Sequence, residues 1–305
     1  MTQWPSDAFE ALPSAVDAPI QAPSPQLSYF GDVYRRFREN RIAVASLYIL
    51  GVLFLLAVFG PLFSPYTYYG TELAAKNSSP SYAHWFGTDD LGRDIFTRVW
   101  FGARISLFVG ICAAVIDVLL GVLWGGTAAL AGGRMDEYMM RAADILYGIP
   151  YLLLVILLMV VMGSGLVPII IAMTITGWIN MARIVRGQVL QLKQQDFVLA
   201  AEALGASFGR ILFKHLLPNC MGPIVVTMTL TIPTAIFTEA FLSFLGLGVQ
   251  APIASWGTMA SEGLPALRYY PWRLFFPAMF ISFTMLAFNL VGDGLRDALD
   301  PRLRK

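Results

Sequence analysis

The segment RIVRGQVLQLKQQDFVLAAEALGASFGRILFKHLLPNC, residues 183–220, interrupts a strongly apolar sequence with two short amphipathic stretches. Apolar or small residues recur at helical spacing in both, at Phe197, Ala200, Ala201 and Leu204 and again at Phe208, Ile211, Leu212 and Leu216. Asp196 and Ser207 are the predicted N-caps, Gly205 separates the stretches, and Pro218 follows the second. The pattern predicts a helix, a tight turn and a second helix ending at Pro218. Each is too short to cross a bilayer and too apolar on one face to lie unpartnered in water.

The composition indicates an integral membrane protein. Of its 305 residues, 57% are hydrophobic and only 13% are charged, far from the average of soluble proteins. The net charge of +1 gives no indication of a nucleic-acid partner. The two cysteines, Cys112 and Cys220, match no metal-ligand spacing, and we expect buried thiols rather than a disulfide.

Six apolar runs are long enough to cross about 30 Å of hydrocarbon. They cover approximately residues 42–63, 105–131, 139–162, 166–186, 220–248 and 274–292. Four arginines precede the first run, at Arg35, Arg36, Arg38 and Arg41. Because basic residues are retained in the cytoplasm, both termini and the loops at 132–138 and 187–219 are predicted to be cytoplasmic. The predicted fold is an all-α polytopic membrane protein with six transmembrane helices.

The same map divides the chain into four parts. Residues 1–30 are rich in proline and are predicted to be a disordered cytoplasmic tail. Residues 31–103 hold the first span and an extracytoplasmic loop, and residues 104–294 form the main transmembrane domain with the cytoplasmic loop 187–219. Residues 295–305 are a cytoplasmic C-terminal tail.

Two acidic residues fall inside the apolar runs, Asp117 in the middle of the second and Glu239 near the outer end of the fifth. A carboxylate at membrane depth is costly, so it normally faces a polar partner or a water-filled cavity. For Asp117, packing against a polar neighbour and lining a pathway both remain open. Glu239 is a candidate for a gate or a substrate vestibule. No chain of partners for a proton relay is visible in the sequence.

Glycines recur within the runs and predict close helix packing in lipid, at Gly110, Gly121, Gly125, Gly126, Gly163 and Gly165.

The motifs of several enzymes are absent. The sequence has no G-x-x-x-x-G-K-[ST], H-E-x-x-H or G-x-S-x-G, so it predicts neither an ATPase site of its own nor a protease or hydrolase of those types. No bound cofactor or metal is predicted, and the lone His84 is expected at the surface.

Residues 200–219, AAEALGASFGRILFKHLLPN, resemble the cytoplasmic coupling loop of binding-protein-dependent ABC importer permeases. That loop usually reads Glu-Ala-Ala, three residues, Gly, and an Ile/Leu-x-Leu-Pro ending. The matching positions are Ala200, Ala201, Gly205, Leu216, Leu217 and Pro218. Leu199 stands where the family usually has Glu, and Glu202 follows three residues later. The resemblance implies contact with an ATPase at Ala200, Ala201, Glu202, Ala203, Leu204, Gly205, Ala206, Ser207, Leu217 and Pro218.

Two further stretches are similar to the dipeptide and oligopeptide permeases within that family. One is HWFGTDDLGRDIFTRVWFGARISL at 84–107, and the other is EAFLSFLGLGVQ at 239–250 followed by SWGTM at 255–259. The resemblance covers approximately residues 31–300. It implies the type I ABC importer transmembrane fold and a permease subunit that imports di- or oligopeptides across a bacterial or archaeal inner membrane.

The resemblance also implies partners. Two permeases, usually non-identical, would form the pathway in the lipid bilayer, two cytoplasmic ATPases would bind ATP and Mg, and an extracytoplasmic binding protein would deliver the substrate. Nickel complexes or glutathione-like peptides are alternative substrates within the family. From other classes, an ion-coupled secondary transporter using Asp117 and Glu239, or a membrane scaffold without transport, remain as alternatives.

Overall fold

The computed structural model describes residues 29–299, which form a bundle of helices. The predicted N-terminal tail at 1–30 lies almost wholly outside the described residues, as does the end of the C-terminal tail. In chain order the helices are α1 (Tyr29–Glu39), α2 (Arg41–Phe59), α3 (Ile95–Ala131), α4 (Gly133–Tyr147), α5 (Tyr151–Met162), α6 (Leu166–Leu192), α7 (Asp196–Ala203), α8 (Phe208–Phe244), α9 (Trp256–Gly263) and α10 (Trp272–Leu299).

Among residues 29–299, five helices are long and apolar enough to cross a membrane, namely α2 with the 3-10 turn that extends it to Phe63, α3, α6, α8 and α10. Helix α3 begins at a well-made cap, because the Asp94 carboxylate accepts a hydrogen bond from the Thr97 backbone N–H at 2.8 Å. The helix then runs for 37 residues, so it extends well beyond the predicted run 105–131.

The prediction of one continuous span at 139–162 is wrong. Two helices, α4 and α5, meet there at a bend of 79°. The bend has a local cause, because Pro150 caps α5 and disfavours helical geometry at the residue before it. Helix α5 has 12 residues and is only about 18 Å long, too short to cross the hydrocarbon alone.

Contacts between α3 and α6 show that the bent pair nevertheless carries the chain from one end of the bundle to the other. The Lys193 ammonium donates to the Leu130 carbonyl at 2.7 Å, so α3 and α6 end side by side. Val109 and Ala113 of α3 pack in one cluster with Ile169 near the start of α6. The two helices are therefore parallel, and α4 with α5 must supply the crossing between them. This brings the number of crossings within residues 29–299 to six.

The predicted close packing is found at four of the six glycines. A Cβ at Gly121 or Gly125 would overlap α6, and one at Gly110 or Gly126 would press on side chains of α8. The other two, Gly163 and Gly165, lie in the turn between α5 and α6 and have no helix packed on them.

The second short helix predicted at 208–217 is the beginning of the long helix α8, so the prediction that it ends at Pro218 is wrong. A π-helical turn at Ile211–Leu216 precedes this proline, and the Leu217 N–H bonds to the Leu212 carbonyl five residues back. Proline lacks an N–H and crowds the carbonyl four residues earlier in a regular α-helix. The wider turn changes the hydrogen-bond register just before Pro218, and the helix continues.

Candidate functional site

Three parts of the bundle hold the predicted functional residues. The end that carries α7 is called the α7 end, and the opposite end, with the loop 64–94 and α9, is called the α9 end. Between them, an open cavity of about 420 Å³ lies among α3, α6, α8 and the junction of α4 with α5. Its size falls within the range of small-molecule sites in proteins.

Asp117 of α3 lies in the wall of this cavity. The side chain is buried, with the residue only 6% exposed, and its Oδ1 atom has no hydrogen-bond partner among the described residues. The carboxylate fits there because the facing residue of α6 is Gly177, where a Cβ would overlap both carboxylate oxygens. Asp117 therefore lies at a cavity, and its role in lining a pathway stays a prediction.

Hydroxyl and amide groups supply most of the other polar wall. They belong to Thr176 and Asn180 of α6, to Tyr147 and Tyr151 at the bend, and to Thr227, Thr231, Thr234 and Thr238 of α8. Thr231, Thr234 and Thr238 donate their hydroxyl hydrogens to carbonyls of their own helix at 2.9, 3.1 and 2.8 Å. Their remaining lone pairs are hydrogen-bond acceptors.

Glu239 lies elsewhere, near the α9 end, and does not line the cavity. It is fully buried and accepts hydrogen bonds from the hydroxyls of Ser106 at 3.1 Å, Ser243 at 2.9 Å and Ser255 at 2.7 Å. The Ser106 hydroxyl in turn accepts from the Trp256 backbone N–H at 3.1 Å. One carboxylate thus ties together α3, α8 and the N-terminus of α9.

A network of charges closes the same end of the bundle. Arg98 donates to Asp89 and to Glu262, both at 2.9 Å. Arg93 contacts the same two carboxylates, at 2.6 and 3.2 Å. Both arginines are buried, and a buried cation is costly unless it is paired. Each of them is paired with two carboxylates that lie on separate parts of the chain. The network fixes the loop 64–94 to α9.

The predicted surface position of His84 is wrong. The residue is buried, its Nδ1 atom lies 3.0 Å from the Asp94 carboxylate, and its ring stacks on Tyr66. Because Asp94 also caps α3, this contact holds the loop against the start of that helix.

The coupling residues predicted at 200–207 lie on α7 and in the turn that follows it, at the α7 end. Gly205 has a φ of +78°, and a Cβ there would meet nothing within 4 Å, so backbone conformation rather than a close approach accounts for the glycine. Asp196 is not the N-cap: Gln195 takes that position, and Asp196 is the first helical residue, where a carboxylate is still favourable.

The α7 segment presents apolar side chains to its surroundings. Val198 and Ala201 are buried and Val198 packs with Ile211 and Leu212 of α8. Five larger apolar residues remain exposed, namely Phe197, Leu199, Leu204, Phe208 and Phe213. Leu204, beside the Gly205 turn, is 88% exposed. A cluster of exposed apolar side chains at the end of a bundle is typical of a protein interface. The other two predicted coupling residues, Leu217 and Pro218, lie within α8 after the π-helical turn.

Two ion pairs join α4 to α6 close to the α7 end. The Arg186 guanidinium donates to both Asp136 carboxylate oxygens at 2.6 and 2.7 Å, and Arg183 donates to Asp144 at 2.8 Å.

Within residues 29–299, no group of three or more potential ligands could hold a metal ion.

Comparison with known proteins gives matches over the whole chain. Residues 117–305 match the family model described as binding-protein-dependent transport system inner membrane component, and residues 28–80 match the N-terminal TM domain of oligopeptide transport permease C. The oligopeptide transport system permease protein OppC of Bacillus subtilis (strain 168) is 63% identical over all of both chains. OppC of Escherichia coli (strain K12) is 44% identical, over 91% of this chain and 92% of that protein.

A solved structure of the MetNI methionine ABC transporter in an inward-facing conformation shares the fold. Its matching chain superposes with a TM-score of 0.55 at 18% identity, over 65% of this chain and 94% of that chain. The helical arrangement is therefore that of the type I ABC importer permeases. Together with the family match over residues 117–305, this shows that the chain belongs to the family of inner membrane components of binding-protein-dependent transport systems.

Proposed function

We propose that this chain is one of two permease subunits in an ATP-driven importer of di- or oligopeptides, and that it forms half of the translocation pathway. The substrate class rests on the relatives: OppC and the dipeptide permease DppC of Bacillus subtilis (strain 168) are 63% and 61% identical to this chain. The polar cavity beside Asp117 supplies a wall suited to a hydrogen-bonding substrate. Nickel complexes and glutathione-like peptides remain alternative cargoes.

We infer that the exposed cluster around α7 is where an ATPase subunit docks. The observation that supports this docking site is the exposure of Leu204 and its apolar neighbours. They have no partner surface within the described chain and lie at the end of the bundle. Closure of the ATPase dimer on ATP and Mg would push on α7. Since α7 packs on the first turns of α8, the push would tilt α8 against its neighbours and open the pathway to the other side.

The remaining parts of the assembly follow from the same proposal. A second, usually non-identical permease would complete the pathway, and an extracytoplasmic binding protein would deliver substrate at the α9 end. Both termini would be cytoplasmic, with residues 31–103, 104–294 and 295–305 as successive segments after the tail at 1–30. An ion-coupled secondary transporter is less well supported, because Glu239 is saturated by three hydroxyls and stands apart from Asp117.

The test is the ATPase activity of the purified chain, alone and with its ATPase partners. We expect no hydrolysis from the chain alone, since the sequence has no phosphate-binding loop. With partner ATPases, the chain should co-purify and binding protein loaded with peptide should stimulate hydrolysis. Hydrolysis by the isolated chain, or failure of ATPases to co-purify with it, would contradict the proposal.

A further inference from the structure

We propose that the Asp117 cavity is a transit site for an ammonium group of the peptide, either its N-terminus or a lysine side chain. This inference rests on the proposed function and adds a charge preference located in this subunit. The starting observation is that Asp117 lines an open cavity, while its Oδ1 atom is shut off from solvent and has no hydrogen-bond partner within residues 29–299.

The burial of Asp117 requires compensation, and the described chain provides no hydrogen-bond partner for its Oδ1 atom. Moving a carboxylate out of water is costly unless a hydrogen-bond donor or a cation accompanies it. Among the residues that line the cavity, none is lysine or arginine. Glu239 shows the contrast, because the same chain gives that buried carboxylate three hydroxyl donors.

Three threonines in the wall of the cavity can only accept hydrogen bonds from a ligand. Thr231, Thr234 and Thr238 already donate to their own helix, so toward the cavity they offer lone pairs. A ligand group that matches Asp117 and these three threonines carries several N–H donors and a positive charge. An ammonium group has three donors and no acceptor, and the N-terminus of a peptide is largely protonated near neutral pH.

The position of Gly177 supports a site rather than a packing defect. Any side chain there would displace the carboxylate from α6, so this glycine leaves room for Asp117 beside the cavity. The carboxylate also repels the C-terminus of a peptide. A peptide crossing here therefore presents its amino end, or a lysine, to this subunit.

The experiment compares uptake of two tripeptides, Ala-Lys-Ala and Ala-Glu-Ala, by the complete importer in proteoliposomes. The binding protein is saturated with each peptide in turn, so the ratio of uptake rates reports the permease. Asp117→Asn, which keeps the shape and removes the charge, should lower the lysine-to-glutamate ratio by about tenfold relative to wild type. Asp117→Glu should preserve the wild-type ratio.

A second variant changes the charge in the opposite direction. Asn180→Asp places an additional carboxylate in the same wall and should raise the ratio by about fivefold, whether or not Asp117→Asn assembles. Ser282→Ala, on the exposed face of α10, is the control and should leave the ratio unchanged. Wild-type ratios in both Asp117→Asn and Asn180→Asp would overturn the inference. If the wild-type importer takes up neither peptide, the proposed function itself fails.

Discussion

Gly205 lies in the proposed coupling segment, and its backbone conformation restricts which residues can occupy the position. Its φ of +78° is accessible to glycine, whereas a β-branched residue there costs about 1 to 3 kcal/mol. Because nothing lies within 4 Å of the added Cβ, the cost comes from the turn and not from a collision. Under the proposed docking, the turn would set the angle at which α7 and Leu204 face an ATPase.

Replacing this glycine should therefore separate coupling from folding. We expect Gly205→Val to insert normally but to lose most peptide uptake and to co-purify with less ATPase. The control is Gly51→Val on α2, where the glycine also has free space and an ordinary φ. Uptake and ATPase co-purification, measured together, check this. Wild-type values of both in Gly205→Val would mean that the α7 segment is not the coupling element.

At the residue scale, the sequence could identify unusual residues but not their neighbours. Asp117 and Glu239 are equally conspicuous as acids in apolar runs, yet one lines a cavity and the other is enclosed by serines. The difference depends on Ser106, which lies 133 positions from Glu239. For the same reason His84 could not be predicted as buried, because the contact with Asp94 depends on how the loop folds back.

At the scale of elements, Glu239 holds α3, α8 and the N-terminus of α9 together through its hydrogen bonds. Glu239→Ala should lower stability by about 3 kcal/mol, because it leaves a cavity and three buried hydroxyls without their acceptor. The measurement is the thermal unfolding midpoint in detergent, with Ser282→Ala as the control. An unchanged midpoint combined with lost uptake would instead indicate a direct role for Glu239 in the pathway.

Helix existence could be predicted from hydrophobicity, but helix continuity could not. The bend at Pro150 divides one apolar run into two helices, whereas Pro218 fails to end α8. At Pro218 the preceding turn widens to a π-helix and the helix continues, and α8 also continues through Pro223 and Pro233, so a proline alone does not decide where a helix ends. The charge network around Arg98 could not be predicted from the sequence either, because Arg98 and its partner Glu262 are 164 residues apart.

At the scale of the whole molecule, six crossings within residues 29–299 put both ends of the bundle on the same side of the membrane, and the basic residues predict that this side is the cytoplasm. If both termini are cytoplasmic, an impermeant thiol reagent applied to intact cells should label Ser79→Cys and Arg268→Cys but not Gln194→Cys. All three positions are exposed. Cys112 and Cys220 are replaced first, and permeabilised cells provide the control, in which all three positions should react. Labelling of Gln194→Cys alone in intact cells would show that the map is inverted.

The central claim is that this chain is a required half of a peptide pathway driven by partner ATPases. The most direct measurement is uptake of labelled trialanine into proteoliposomes that contain the partner permease and ATPases, with or without this chain, on addition of loaded binding protein. We predict ATP-dependent uptake only when this chain is present, and its loss when ATP is replaced by a non-hydrolysable analogue. Equal uptake without this chain, or uptake that does not depend on ATP hydrolysis, would contradict the account.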